Sequence, residues 1–217
     1  PELKPESGWS SEIGIKQGVK TGKWMGYIDV AGFIQQYDDM MEFTFGQWGG
    51  ADKPFYGLGF KSVNVGTTRI TGAELSLSGQ GKITPDLTIN IIAGYTYMNP
   101  ISLNNDADYR STWSDTSVNI LKYRYKHLAK LDVEVNYKKY SAGFSLRYGG
   151  FMRNIDKVFE EPIGGTTYIL PGLKEYREIY NKGNFVVDLR LGYKLNDNYR
   201  LGFMVNNLFN SEYTSRP

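Results

Sequence analysis

Hydrophobic and polar residues alternate along several long stretches of this chain. In 129–137, apolar or aromatic odd positions alternate with four polar residues, Lys130, Asp132, Glu134 and Asn136. The segment 185–195 alternates in much the same way. Because successive side chains of a β-strand point to opposite faces, each stretch has one apolar and one polar face. Both stretches exceed the usual strand of ~5–6 residues and reach the ~9–11 residues with which a tilted strand crosses a bilayer.

This pattern predicts an all-β fold, the wall of a transmembrane antiparallel β-barrel with lipid outside and a polar lumen inside. Eight segments have strand character, roughly 10–18, 23–38, 63–80, 87–98, 125–138, 141–152, 184–195 and 199–209. Aromatic residues near their ends, including Trp24, Tyr137, Tyr140 and Tyr193, suit the two membrane interfaces.

The connections between these segments fall into two lengths. Four are tight turns rich in turn-forming residues, at 19–22, 83–86, 138–140 and 196–198. Three are long, at 39–62, 99–124 and 153–183. Short and long connections alternate strictly, as periplasmic turns and extracellular loops do in outer-membrane barrels. The first segment is therefore expected to descend to the periplasm and the last to ascend.

Composition excludes several other classes. The net charge of +2 does not favour nucleic acid as a partner, and the absence of cysteine gives no disulfide framework. The residues 104–108 place oxygen ligands at alternate positions but lack the glycine and glutamate of a calcium loop. With one histidine, His127, and no phosphate-binding glycine motif, we expect neither an enzyme nor a metal or cofactor site.

Three stretches, in this order, resemble the C-terminal half of the barrel of TonB-dependent outer-membrane receptors. They are LKPE at 3–6 followed by SEIG at 11–14, ITGAEL at 70–75, and VNNLFNSEY at 205–213. The resemblance implies a bacterial outer-membrane protein with a 22-stranded barrel and a plug domain folded inside it. It implies uptake of a scarce, bulky nutrient, chiefly an iron chelate or siderophore, driven by the TonB complex acting on an N-terminal segment.

On this resemblance, residues 1–217 are the C-terminal portion of such a barrel, without the plug domain or the final strand. The expected partners are outer-membrane lipid, the protein's own plug domain and remaining barrel strands, the TonB complex and a small-molecule metal chelate. Charges on the polar strand faces are expected to face the lumen and the plug: Glu74, Lys130, Asp132, Glu134, Arg147, Asp188, Arg190 and Arg200. Aromatic and arginine side chains of the long loops are candidate ligand contacts: Trp48, Tyr56, Arg110, Trp113, Tyr168 and Arg177.

Two other architectures remain open at this level. A complete eight-stranded barrel with a structural or adhesion role would pair segment 10–18 with segment 199–209. A soluble β-sandwich that binds carbohydrate would distribute its short hairpin turns over both ends of the sheet.

Overall fold

The alternating segments form one antiparallel sheet of eight long strands. The computed structural model describes residues 3–49, 57–104 and 118–213. In chain order the strands are β1 (Ser7–Thr21), β2 (Trp24–Asp38), β3 (Met41–Gln47), β4 (Leu58–Asn64), β5 (Thr67–Thr84), β6 (Leu87–Asn104), β7 (His127–Tyr137), β8 (Tyr140–Gly149), β9 (Asn184–Lys194) and β10 (Arg200–Val205). The large sheet has the order β1-β2-β5-β6-β7-β8-β9-β10, and β3 and β4 pair separately.

All tight turns of the large sheet lie at one end, and all long connections lie at the other. The short turns occupy 22–23, 85–86, 138–139 and 195–199. At ~3.3 Å per residue, the 18 residues of β5 and of β6 span about 60 Å, twice the ~30 Å of a bilayer core. These two strands therefore extend beyond the membrane, and the predicted wall of antiparallel strands is confirmed.

The sheet has two edges. Within the described residues, β1 pairs only with β2, and β10 pairs only with β9. A closed eight-stranded barrel requires β1 to pair with β10, so the described residues do not form that alternative.

The first long connection contains structure that the sequence pattern did not predict. Strands β3 and β4 form a hairpin that continues from the ends of β2 and β5. Its base is a bend in which Asp39 (φ 53°) and Gly66 (φ 87°) are left-handed, and the Met40 N–H donates to the Gly66 carbonyl at 3.1 Å. Because residues 58–64 pair with β3, the next wall strand begins at Thr67, four residues later than predicted.

The last long connection also contains regular structure. Residues 150–183 include a 3₁₀ turn (Lys157–Phe159) and the short helix α1 (Leu173–Ile179). Within the described residues, no helix is long and apolar enough to span a membrane.

The buried core lies at the long-connection end of the sheet. Met40, Val63, Val65 and Leu121 form a hydrophobic cluster there, against which Tyr37, Trp48 and Ile70 pack. Among the described residues, no such cluster covers the apolar face of the wall, where Ile13 and Ile15 are 81% and 73% exposed. The sheet therefore presents its apolar side outward, as a surface in contact with lipid does.

Candidate functional site

The strand register places all eight predicted charged residues on one face of the wall. Following the partner pairs from β5 to β10 shows that Glu74, Lys130, Asp132, Glu134, Arg147, Asp188, Arg190 and Arg200 share that face. The apolar residues between them point to the opposite face. In a closed barrel, this polar face is the luminal one.

One network on the polar face crosses three strands. Arg190 Nη2 donates to both carboxylate oxygens of Asp132, at 2.9 and 2.8 Å, and Arg190 Nη1 donates to Ser145 Oγ at 2.5 Å. Ser145 Oγ in turn donates to Asp132. Because the three residues belong to β9, β7 and β8, the network fixes the register of this part of the wall.

A second network connects the wall to the last described segment. Arg147 Nη2 donates to Asp188 Oδ2 at 2.9 Å, and the Asn207 N–H donates to Asp188 Oδ1 at 2.8 Å. Asn207 is left-handed (φ 51°), and its side chain donates to and accepts from the backbone of Ser211. These bonds explain why β10 ends at Val205, earlier than predicted, and give the asparagine of the 205–213 motif a structural role.

The other predicted wall residues make fewer contacts. Glu74 accepts a hydrogen bond from Thr96 at 3.4 Å, and Glu134 accepts one from Asn136 at 3.0 Å. Lys130 and Arg200 are exposed.

A buried charged cluster joins the three long connections at the other end of the sheet. Lys122 Nζ donates to Asp156 Oδ1 and to Thr44 Oγ1, both at 2.6 Å, and Tyr123 Oη donates to Asp156 Oδ2 at 2.7 Å. The side chains of Lys122 and Asp156 are 1% and 0% exposed. Thr44 comes from the β3–β4 hairpin in the first connection, Lys122 from the second connection and Asp156 from the third. The cluster of Thr44, Lys122, Tyr123 and Asp156, hereafter the clasp, therefore joins all three connections.

Glu42 lies at the edge of this cluster. Its Oε2 is 3.9 Å from Lys122 Nζ and has no hydrogen-bond partner within the described part of the chain. Burial raises the pKa of the Glu42 carboxyl, and the positive charges of Lys122 and Arg124 oppose that rise only in part.

A cavity of about 340 Å³ opens beside the clasp. Phe60 stacks between Phe43 and Phe159, with ring centroids 5.3 and 5.8 Å apart, and these rings line one side. Lys122 and Arg124 line the other side together with Glu42 and Asp156. Because Lys122 is buried and paired with Asp156, the half-buried Arg124 is the cation of this lining that stands next to the aromatic faces, an arrangement that suits a flat ligand with a negative group.

The three predicted loop residues that the structure describes, Trp48, Tyr168 and Arg177, do not line this cavity. Trp48 Nε1 donates to the Gly59 carbonyl at 2.8 Å inside the hairpin, and Tyr168 is exposed. Arg177 donates to Glu160 Oε1 at 2.6 Å and to the Met152 carbonyl at 2.8 Å, so it attaches α1 to the preceding segment.

Tyr56, Arg110 and Trp113, and most of the 104–108 segment, lie outside the described residues. Within the described residues, no group of three or more His, Cys, Asp or Glu side chains could hold a metal ion.

Sequence reasoning missed the clasp. Lys122 follows Ile120 and Leu121, and Asp156 follows Ile155, so each charge sits beside apolar residues that are buried. That is a weak signal, because nothing in either segment shows that Lys122 and Asp156, which are 34 positions apart in sequence, contact each other.

Residues 1–208 match the family model described as TonB dependent receptor-like, beta-barrel. No curated protein matches the sequence significantly.

Among solved structures, the chain is similar to the ferric-catecholate import receptor Fiu from Escherichia coli K12, in its closed form, with 25% identity and a TM-score of 0.61 over 99% of this chain and 25% of that one. It also resembles the copper transporter OprC in fold, with 18% identity and a TM-score of 0.57 over 98% of this chain and 27% of that one. The chain thus spans about a quarter of the length of these two proteins.

Proposed function

The chain belongs to the TonB-dependent receptor β-barrel family, and we propose that its polypeptide imports an iron chelate across the outer membrane with energy from TonB. The family is one of outer-membrane receptors and transporters, so the protein is placed in the bacterial outer membrane. The observation that carries the cargo proposal is the cavity among the long connections, where Arg124 and the rings of Phe43, Phe60 and Phe159 share the lining.

The described wall is a section of a larger barrel in this proposal. Unpaired strand edges are not stable in lipid, because no water satisfies their N–H and C=O groups. Further strands of the same polypeptide therefore flank β1 and β10. In this proposal the rest of the polypeptide also supplies the plug domain and the N-terminal segment that contacts TonB. The polar face, with its Asp132–Arg190 and Arg147–Asp188 pairs, faces the plug.

The chemistry of the cavity favours an anionic, aromatic chelate as cargo. Three phenylalanine rings provide flat apolar faces, and the half-buried Arg124 provides a cation with several N–H donors. A ferric catecholate complex combines negative charge with flat rings. The likeness to the ferric-catecholate import receptor Fiu supports the same class of ligand.

The first experiment measures uptake of labelled iron chelates by cells producing the intact polypeptide, with and without functional TonB. We expect uptake of at least one ferric chelate that disappears when TonB is absent. Uptake that persists without TonB indicates a passive barrel, and binding without uptake indicates an adhesion or structural role; either result contradicts the proposal.

A second experiment tests the cavity as the cargo site. Arg124→Gln removes one charged hydrogen-bonding group, which is worth ~1.5–3 kcal/mol, so affinity for a ferric catecholate should fall roughly 10- to 150-fold. Arg153→Gln is the matched control, because Arg153 is an exposed arginine in the third connection and does not line this cavity. Equal affinity of the two variants would place the cargo elsewhere.

A further inference from the structure

The outward face of the wall contains an apolar groove close to the tight-turn end of the sheet. Its volume is about 450 Å³, within the range of ~300–1,000 Å³ that is typical of small-molecule sites. It lies across four neighbouring strands, β7 to β10, and its apolar walls include Val135, Leu191, Leu201 and Phe203. The register places these side chains on the face opposite the Asp132–Arg190 network.

A small side chain creates this groove. On the outward face of β8, Ala142 stands between Tyr140 and Phe144, and its register partners on the adjacent strands are Val135 and Leu191. A methyl group with Tyr140, Phe144, Val135 and Leu191 as its neighbours on this face leaves a depression there. Leu201 and Phe203 of the edge strand β10 belong to the same outward face, so the depression opens on the apolar side of the sheet.

The end of the groove nearest the turn is aromatic and basic. The rings of Tyr140 and Tyr193 lie 5.0 Å apart, and Tyr137 completes this rim. The adjacent turn carries Lys138 and Lys139, and Lys138 Nζ lies 5.3 Å from the centre of the Tyr137 ring.

The acidic residues on the two neighbouring turns are Asp197 and Asp86. Asp197 pairs with Lys194 at 2.7 Å, and the Asp86 backbone carbonyl accepts a hydrogen bond from the Lys138 N–H at 2.9 Å. Neither Lys138 nor Lys139 forms an ion pair within the described residues; Lys139 Nζ lies 3.4 Å from the Leu195 carbonyl oxygen.

We propose that this groove is a specific binding site for an anionic phospholipid of the periplasmic leaflet. One acyl chain fills the depression over Ala142, and the phosphate binds Lys138 and Lys139 beside the tyrosine rim. The assignment of the leaflet rests on the family orientation, in which tight turns face the periplasm. The apolar lining matches an acyl chain, and the aromatic rim matches the membrane interface. The adjacent lysines match an anionic headgroup.

The test uses the intact receptor, purified and exchanged into micelles containing equal amounts of phosphatidylglycerol and phosphatidylcholine. Native mass spectrometry then counts the lipids that each receptor retains. Since a lysine near a membrane contributes about a fivefold preference for anionic lipid, we expect phosphatidylglycerol to be retained roughly five- to thirtyfold over phosphatidylcholine.

Two sets of variants separate the parts of the site. Ala142→Phe fills the depression and should reduce retention of both lipids about tenfold, whereas Ala93→Phe, on the outward face of β6, should not. The double substitution Lys138→Gln with Lys139→Gln should abolish the preference for phosphatidylglycerol, whereas Lys23→Gln, on another tight turn, should leave it intact.

The lysine variants are on an exposed turn, so they keep the test valid even if Ala142→Phe impairs folding. Unchanged selectivity in the double lysine variant overturns the proposal. So does a dimeric mass without bound lipid, which would identify a second copy of the receptor as the occupant. TonB-dependent uptake is measured separately, so failure of this proposal leaves the transport function unaffected.

Discussion

Replacing Lys122 by methionine tests whether the buried clasp holds the three long connections together. Methionine is similar in length to lysine but has neither charge nor N–H donors. The substitution leaves Asp156, which is fully buried, without its positive partner, although Thr44 and Tyr123 still donate to it. Removing one member of a buried ion pair typically costs ~3–5 kcal/mol.

The assay is hydrogen exchange of the backbone amides in the intact receptor, measured by mass spectrometry. A tenfold change in an equilibrium constant corresponds to about 1.4 kcal/mol. A loss of ~3–5 kcal/mol therefore accelerates exchange through local opening by roughly 10²- to 10³-fold or more. The acceleration should occur in peptides from all three connections, around 39–49, 118–126 and 150–160, since each contributes a member of the cluster. Amides of the wall strands should not change.

The matched control is Lys174→Met, which removes an exposed lysine from α1. In the Lys122→Met background, Asp156→Asn removes the uncompensated charge and should recover part of the lost protection, and a double-mutant cycle measures that coupling. Faster exchange confined to 118–126, or exchange no faster than in Lys174→Met, would refute the idea of a clasp.

Three further substitutions have distinct expected outcomes. Burial raises the pKa of Glu42, so protonation of its carboxyl stabilises the folded loops, and this stability is lost as pH rises through the raised pKa. Amide exchange in the loops, corrected for its intrinsic pH dependence, should therefore slow as pH falls toward the ordinary carboxyl range, and Glu42→Gln should remove this dependence. Gly79→Ala places a Cβ against the Trp24 ring and should lower the free energy of unfolding by ~1–3 kcal/mol, whereas Gly32→Ala, whose added Cβ would have its nearest neighbouring atom 3.9 Å away, should have little effect. Arg177→Gln breaks charged hydrogen bonds and should accelerate exchange in 173–180; weaker cargo binding with unchanged exchange would instead indicate a ligand contact.

The wall was predictable from the sequence because its physical signal is local. In β7 each outward residue is followed by an inward one, so the two-residue period itself states which side chains share a face. Asp132 and Arg190 could therefore be placed on one face before their pairing was known. Their contact with each other and with Ser145 depends on the register of β8 against both neighbours. A tight turn joins β8 to β7, but the long connection 150–183 joins it to β9, so the alternation alone does not give that register.

The long connections were not predictable, because their structure depends on contacts distant in sequence. The β3–β4 hairpin contains Phe43 and Phe45 in alternation, but its bend requires the left-handed Asp39 and Gly66 to face each other. The clasp joins Thr44 to Asp156 across 112 positions, and no local pattern carries that information. For the same reason Arg124, which lines the cavity, was not among the predicted ligand contacts.

The central claim, that one face of the wall meets lipid and the other meets the lumen, can be measured along β7. Nitroxide labels are attached one at a time at positions 128–136 of the intact receptor in lipid bilayers, on a background without other cysteines. Accessibility to oxygen, which concentrates in lipid, should alternate with a period of two residues and be highest at Ala129, Leu131, Val133 and Val135. Maxima at Lys130, Asp132 and Glu134, or no alternation, would contradict the account.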